Sequence, residues 1–217
     1  VQAVTNSLYG LRPVANANSN AFRNCLFKGL TAANFDSSKD NYIENCVFYS
    51  PTAEAFSGYF GVSNMVGNVI VGATALGWVP TAGSRNIFYY SEKMQRNNIE
   101  SLADFAKAYT NWTGNTFADA LFVNPDGLDF HVKSPAGFVS NGTWVVDPAV
   151  PYSPAIDFGT VGTPVGSEPD PNGGRINVGV YAGTVEASKS RTGDWTYAMA
   201  YNDGGSLLQT GRLEWVA

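Results

Sequence analysis

A short pattern of apolar and polar positions recurs five times in the first 90 residues of the chain. Each copy has an apolar or small residue, a polar or small residue, an asparagine and then three mostly apolar residues. The copies are residues 4–9, 22–27, 43–48, 66–71 and 84–89. Their asparagines are 18, 21, 23 and 18 residues apart, namely Asn6, Asn24, Asn45, Asn68 and Asn86. Repeats of about 20 strand-forming residues are typical of a solenoid, in which each repeat is one coil stacked on the last.

The alternation within each copy breaks at the asparagine, and this break predicts a bend in the strand. If alternation continued, Cys25 and Cys46 would face water instead of the core. A left-handed residue restarts the alternation, and asparagine is among the few non-glycine residues that adopt positive φ at low cost. We therefore expect Cys25, Cys46, Phe27 and Phe48 to face inward, with the stacked asparagines hydrogen-bonded in a ladder.

The two cysteines occupy equivalent positions in neighbouring copies. Stacked strands lie about 4.8 Å apart, so the two cysteines can form either a disulfide or a pair of buried thiols. The restrictive geometry of disulfides favours the thiols. The sequence predicts no metal site and no cofactor, since no histidine pair accompanies the cysteines. A structural calcium ion is compatible with the oxygen ligands of residues 170–174, although these lack the spacing of a known calcium loop.

One segment beyond the repeats predicts a helix. Ser101 can cap its first turn together with Asp104, three residues later. Leu102, Phe105 and Tyr109 then form an apolar stripe at helical spacing. We expect residues 101–110 to be a helical insertion that packs on the coils.

The chain therefore divides into a solenoid and a short C-terminal part. Residues 1–98 hold the repeat coils, and residues 116–187 are expected to form terminal coils or a cap. Residues 188–217 predict a linker and a strand pair, which either caps the solenoid or begins a following β domain. The expected class is all-β, a parallel β-helix with one short helix insertion and a C-terminal cap or strand pair.

The repeats resemble the right-handed parallel β-helix family of secreted and cell-surface bacterial proteins, the pectate-lyase-like solenoids. Four later phrases resemble the C-terminal end of such proteins, namely residues 121–125, 129–135, 153–159 and 175–183. An Asp and an Arg recur in that terminal signature. The resemblance thus implies a structural, partly buried salt bridge between Asp157 and Arg175, of a kind that costs about 3–5 kcal/mol to break.

Composition and charge narrow the partners. The formal net charge is −5, and lysines and arginines are scattered singly, so nucleic acid is not an expected partner. No run is long and apolar enough for a membrane span, and no membrane insertion is expected. The chain lacks an initiator Met and starts within a predicted coil, from which we expect a piece of a longer precursor, located outside the cell or on its surface.

Few charged residues point to chemistry. Arg23, Lys28 and Glu44 flank the repeated strands on their outward side and are weak catalytic candidates. Arg23 and Glu44 would stand on adjacent coils, where a surface ion pair is the simpler expectation. His131 is the only histidine and is expected to be an exposed strand residue. Aromatic residues near the projecting loops are candidates for contacts to sugar rings, namely Tyr49, Tyr59, Trp78, Tyr89 and Tyr90.

Three functions remain open. The first is an extracellular module of a larger bacterial surface or secreted protein, for display or adhesion with carbohydrate contact. The second is the C-terminal part of a polysaccharide lyase or glycoside hydrolase. The third is a structural spacer or filament subunit, in which coil ends meet in self-assembly. The partners expected are a polysaccharide or glycan, neighbouring domains of the same precursor, or other copies of the chain.

Overall fold

The computed structural model describes residues 9–12, 18–35, 39–58, 61–191, 200–201 and 207–209. The predicted positions Asn6 and Tyr59 lie outside these residues. The one helix assigned within them is α1 (Leu102–Ala108). The strands in chain order are β1 (Tyr9–Leu11), β2 (Ala21–Arg23), β3 (Leu26–Lys28), β4 (Thr31–Asn34), β5 (Asn41–Glu44), β6 (Val47–Ser57), β7 (Val62–Val66), β8 (Val69–Leu76), β9 (Ala82–Ser84), β10 (Ile87–Gln95), β11 (Trp112–Thr113), β12 (Thr116–Phe117), β13 (Phe122–Asn124), β14 (Asp129–Val132), β15 (Phe138–Ser140), β16 (Thr143–Val145), β17 (Ala200–Tyr201) and β18 (Leu207–Gln209).

Two parallel sheets form a solenoid, which confirms the predicted fold class. One sheet has the order β1-β4-β6-β8-β10-β12, with β3 also paired to β6, and the other has the order β11-β9-β7-β5-β2. The chain passes from a strand of the second sheet to a strand of the first and returns one level higher. Every pairing within these two sheets is parallel. The result is a stack of coils, a parallel β-helix.

A left-handed residue joins the two sheets in each coil whose bend the structure describes. These bend residues have φ between 50° and 66° and are Asn24, Asn45, Gly67, Arg85 and Gly114. Strand register places them at one level of the coil, because Glu44 pairs with Val66 and Val66 with Ser84 just before the bend. The predicted bend thus lies at Asn24 and Asn45. In the next two coils it lies one residue earlier than expected, at Gly67 and Arg85.

The asparagine ladder is formed by the residues that follow the bend. Asn68 Oδ1 accepts the Cys46 backbone N–H, Asn86 Oδ1 accepts that of Asn68, and Asn115 Oδ1 accepts that of Asn86, at 2.8–3.0 Å. Asn68 and Asn86 also donate their side-chain amides to the next asparagine. Cys25 and Cys46 continue this ladder in the first coils. The predicted ladder through Asn24 and Asn45 is therefore corrected by one position.

The interior of the solenoid is filled by aromatic and aliphatic side chains. Phe27 stacks on Phe48 with ring centroids 5.1 Å apart, and Phe35 stacks on Phe56 at 5.7 Å. Stacked identical rings follow from parallel pairing, because equivalent positions of successive coils lie directly above one another. Cys46 is fully buried in this core, and Cys25 packs against it.

The helix adds to the same core. Ser101 Oγ accepts the Asp104 N–H at 3.1 Å, as the capping pattern predicts. Phe105 is buried, and its ring packs against Phe88 and Trp112. The prediction of a short packing helix is confirmed.

The outer face of the long sheet is covered by residues 118–191, which we call the C-terminal segment. Leu26, Val47, Val69 and Ile87 point away from the interior and pack against this segment in a second core. The segment supplies buried side chains to it, namely Ala120, Phe122, Phe130, Val132, Ala155, Ile156, Val178 and Val180. Both faces of these strands are thus buried.

The C-terminal segment adds no parallel coil within the described residues. Its strands form two antiparallel pairs, β13 with β14 and β15 with β16. Farther along the chain, β17 pairs antiparallel with β18. Turns connected by backbone hydrogen bonds make up most of the remainder.

Candidate functional site

An exposed group of aromatic rings lies on β10 and β12, the last two strands of the long sheet. Tyr89, on β10, is 42% exposed, and Phe117, on the neighbouring β12, is 49% exposed. Their ring centroids are 5.9 Å apart in a stacked arrangement, and Tyr90 packs against Phe117 at 4.7 Å. We call Tyr89, Tyr90 and Phe117 the aromatic patch. It presents two adjacent, half-exposed aromatic side chains to solvent, a surface that suits an apolar or amphipathic ligand.

Phe117 was missed in the sequence, although a signal for it exists. The stretch Gly114-Asn115-Thr116-Phe117 repeats the form of Gly67-Asn68 and its following strand. It is one more copy of the repeat, 29 residues after the previous one because α1 is inserted between them. A search for Gly-Asn as well as Asn at the bend would have found it.

The other aromatic candidates are placed differently. Tyr49 packs edge-on against Phe122 and Phe130 of the C-terminal segment, with ring centroids 6.5 Å and 5.2 Å away. Burial raises the pKa of its hydroxyl. Tyr49 is therefore a packing residue between two layers. Trp78 is 40% exposed and follows β8.

The weak catalytic candidates do not converge. Arg23 Nε donates to Glu44 Oε2 at 2.8 Å across adjacent coils, as expected for a surface ion pair. Such a pair contributes at most about 1 kcal/mol. Lys28 instead donates to the carbonyl of Pro125 at 3.0 Å and lies 5.4 Å from the centroid of the Tyr49 ring. Each cation already has a protein partner.

Asp157 and Arg175 do not form the predicted salt bridge. The Asp157 carboxylate accepts hydrogen bonds from Tyr152 Oη at 3.1 Å and Ser190 Oγ at 2.8 Å. Arg175 donates to the carbonyls of Gly159 and Phe158, at 2.6 Å and 2.9 Å. Burial raises the pKa of Asp157, although the two hydroxyl donors and the charge of Arg175 act in the opposite direction. Arg175 therefore holds the turn that follows Asp157 through its backbone carbonyls, and the Asp157 carboxylate is held by two hydroxyl groups instead.

His131 is buried, contrary to the expectation of an exposed residue. Its Nδ1 lies 2.6 Å from Asp129 Oδ1, and its ring stacks on Tyr181 with centroids 3.6 Å apart. Its Nε2 is buried without a hydrogen-bond partner in the described structure and lies 4.0 Å from Glu186 Oε2. The adjoining cavity is about 10 Å³, room for about one water molecule. The burial of His131 was not predictable from the sequence, because the residues that cover it lie about 50 positions later.

Glu168 is a buried carboxyl that the sequence reasoning also missed. Its Oε1 accepts the backbone N–H groups of Asn177 and Gly183, at 2.9 Å and 2.8 Å, whereas Oε2 is buried without a partner in the described chain. Burial raises the pKa of Glu168 to about 7, although the two N–H donors act against this. Its contacts bind together the turns of the C-terminal segment.

The described residues contain neither a cluster of potential metal ligands nor a helix suited to span a membrane. Among the described residues, no group of three or more His, Cys, Asp and Glu side chains is arranged to hold a metal ion. In the stretch considered for calcium, Asn172 donates to Asp170 Oδ1 and its own Oδ1 accepts the Gly174 N–H. These oxygens are used by the turn itself. No helix in the described ranges is long and apolar enough to cross a membrane.

The described residues form a parallel β-solenoid with an exposed aromatic patch. Comparisons with protein-family models, with curated proteins and with solved structures find no match.

Proposed function

We propose that this chain is an extracellular β-solenoid module of a larger bacterial surface or secreted protein, and that it contacts a carbohydrate through the aromatic patch. The observation that carries the proposal is the stacked, half-exposed pair of Tyr89 and Phe117 on adjacent strands. The C–H faces of sugar rings pack favourably on exposed aromatic surface, and this pair supplies such surface on two adjacent strands.

The position of the patch supports the same proposal. Equivalent outward positions in earlier coils are covered, since Val71 is buried and Tyr49 packs under the C-terminal segment. The covering segment leaves the outer face open at Tyr89. Exposed apolar side chains normally occur singly, so an exposed pair in contact is a candidate binding surface.

Pectate-lyase-like ancestry and an extracellular location rest on the resemblance of the coil repeats and of the terminal phrases, including residues 153–159 and 175–183. Catalysis by this chain has no comparable support. Arg23 and Glu44 neutralise each other, and Lys28 is held by a backbone carbonyl. A binding and display role is therefore favoured over catalysis, because it requires no catalytic groups beyond those described.

The test is retention of the purified chain on a panel of immobilised polysaccharides. Tyr89→Ala and Phe117→Ala should each weaken retention, by about tenfold for a lost stacking contact of 1–1.5 kcal/mol. Trp144→Ala is the matched control, because Trp144 is 44% exposed but lies on the β15–β16 hairpin. Retention that persists in both patch variants, or that depends on Trp144 instead, would reject the patch as the binding surface.

A third outcome of the same experiment would favour a spacer or filament role over carbohydrate binding. If no polysaccharide is bound and the folded chain assembles into ordered oligomers, carbohydrate contact is rejected in favour of a spacer or filament role. Analytical ultracentrifugation of the same preparation distinguishes this assembly from aggregation.

A further inference from the structure

One bend residue breaks the pattern of the others. Four of the five bend positions hold asparagine or glycine, the residues that adopt positive φ at least cost, whereas the fifth is Arg85 with φ of 54°. A long side chain at such a position costs free energy that asparagine would reduce. Strained backbone positions are concentrated at functional sites. The strain at Arg85 therefore suggests a role for its guanidinium group.

The Arg85 guanidinium has no hydrogen bond or ion pair with any described residue. It lies over Gly114, where an added Cβ would be 3.1 Å from Arg85 Nε. Its Cζ is 5.9 Å from the centroid of the Phe158 ring. Glycine at position 114 thus provides the space in which this cation sits, beside an aromatic ring of the C-terminal segment. Arg85 and Phe158 are both only partly exposed.

A second guanidinium is held at the same aromatic residue. Arg175 Nη2 donates to the carbonyl of Phe158 and Nε to that of Gly159, which fixes the orientation of its planar group. Burial, and then the positive charge of Arg85, lower the pKa of Arg175. Both guanidinium groups thus lie at Phe158, Arg85 beside its ring and Arg175 on its backbone carbonyl, and no described residue forms a hydrogen bond with both.

The nearest carboxylate does not neutralise the pair directly. Asp157 attracts Arg175 electrostatically, but its oxygens accept hydrogen bonds from Tyr152 and Ser190. No ion pair joins Asp157 to either arginine among the described residues. Two partly buried cations without a bridging anion leave N–H donors available to a bound oxyanion.

We propose that Arg85 and Arg175, beside the ring of Phe158, form a binding site for an oxyanion group carried by a ligand. The group is a carboxylate or a sulfate ester, because both match the planar fork of N–H donors that a guanidinium presents. One cation comes from the solenoid and the other from the C-terminal segment, so the site exists only when the two are packed together. It is separate from the aromatic patch and does not depend on carbohydrate stacking there.

The first test is a titration with inorganic sulfate, followed by NMR of the arginine Nε–H resonances in the full chain. The proposal predicts saturable shifts for Arg85 and Arg175 but not for Arg96, which is paired with Glu54. In Arg85→Asn, sulfate affinity should fall at least tenfold while the melting temperature stays the same or rises, because asparagine suits the bend. Sulfate shifts that do not saturate, or an Arg85→Asn variant with unchanged affinity, would overturn the proposal.

The second test identifies the group and controls for charge. Dextran, carboxymethyl dextran and dextran sulfate present the same backbone with no anion, a carboxylate or a sulfate ester. Binding of one or both charged polymers, and not of dextran, is expected, and which polymer binds names the group. Lys107→Gln removes the same unit of charge from an exposed helix position. Equal losses in Lys107→Gln and Arg85→Asn would overturn the site by showing general attraction only.

Discussion

At the scale of single residues, burial of a carboxyl group makes Glu168 a titratable centre near neutral pH. Its pKa of about 7 lies well above the ordinary value of 4.5. The native chain therefore keeps a proton that the unfolded chain releases at lower pH. The stabilisation from this proton is fully present below about pH 4.5 and is lost as the pH rises through about 7.

We predict that the contribution of Glu168 makes the chain less stable at about pH 8 than at about pH 5, by up to about 3 kcal/mol. Glu168→Gln keeps an acceptor for the N–H groups of Asn177 and Gly183 and cannot ionise, so this part of the pH dependence should disappear. Urea unfolding at both pH values measures it. An identical pH dependence in wild type and Glu168→Gln would contradict the assignment.

The two cysteines should differ in reactivity although they occupy equivalent positions. A hydrogen bond from the Cys46 thiol lowers the pKa of Cys25 to about 6, whereas burial raises the pKa of Cys46. Because the thiolate is the nucleophile, iodoacetamide at neutral pH should modify Cys25 and leave Cys46 until the chain unfolds.

Peptide mass spectrometry of the labelled chain measures both sites. In Cys46→Ala, labelling of Cys25 should slow because the hydrogen bond that stabilises its thiolate is gone. Equal labelling of both cysteines in the native wild type would show that Cys46 is not protected by the core.

At the scale of the element, the coil depends on a ladder of buried amides. Asn86 accepts the N–H of Asn68, donates to the carbonyl of Met65 and donates to Asn115 Oδ1. It is fully buried. Removing its side chain would leave several polar groups without partners, each at about 1–3 kcal/mol.

Asn86→Ala should therefore lower the free energy of unfolding by about 3 kcal/mol or more, enough to threaten folding. Asn97→Ala is the matched control, because Asn97 is exposed and outside the ladder. Thermal or urea denaturation compares them. Similar stability of the two variants would contradict a structural ladder at this position.

The sequence was sufficient to predict the coil and the helix but not the register of every coil. The Asn-Cys phrase predicted the bends at Asn24 and Asn45, and Ser101 predicted the helix start. At Asn68 and Asn86 the same letter occupies the position after the bend, because Gly67 and Arg85 take the left-handed conformation instead. Matching asparagines alone could not distinguish a bend residue from a ladder residue. Nothing in the sequence around Arg85 indicates that it adopts a positive φ.

At the scale of the whole molecule, the solenoid and the C-terminal segment share one apolar layer. Val69 is fully buried on the outer face of β8, with Val178 and Phe130 in the same core. The contacts between Tyr49 and residues 122 and 130 belong to this layer. They connect positions more than 70 residues apart, which is why the sequence could not show that Tyr49 is covered.

We expect Val69→Ala to destabilise both parts together, by about 1–3 kcal/mol for the lost methyl groups and the cavity. Native-state hydrogen exchange should report a similar loss of protection in the coils and in residues 118–191. Val146→Ala, at a position that is 72% exposed, is the control and should change neither. Loss of protection confined to the coils would show that the segment is an independent unit.

The central claim is that the aromatic patch at the end of the coil stack contacts carbohydrate. The most direct measurement is NMR of the aromatic side chains of the full chain during titration with an oligosaccharide derived from a polysaccharide that retains it. The account predicts saturable shifts of the Tyr89 and Phe117 ring signals, with those of Trp144 and the buried Phe88 unchanged. Saturable shifts elsewhere with Tyr89 and Phe117 unmoved would contradict it.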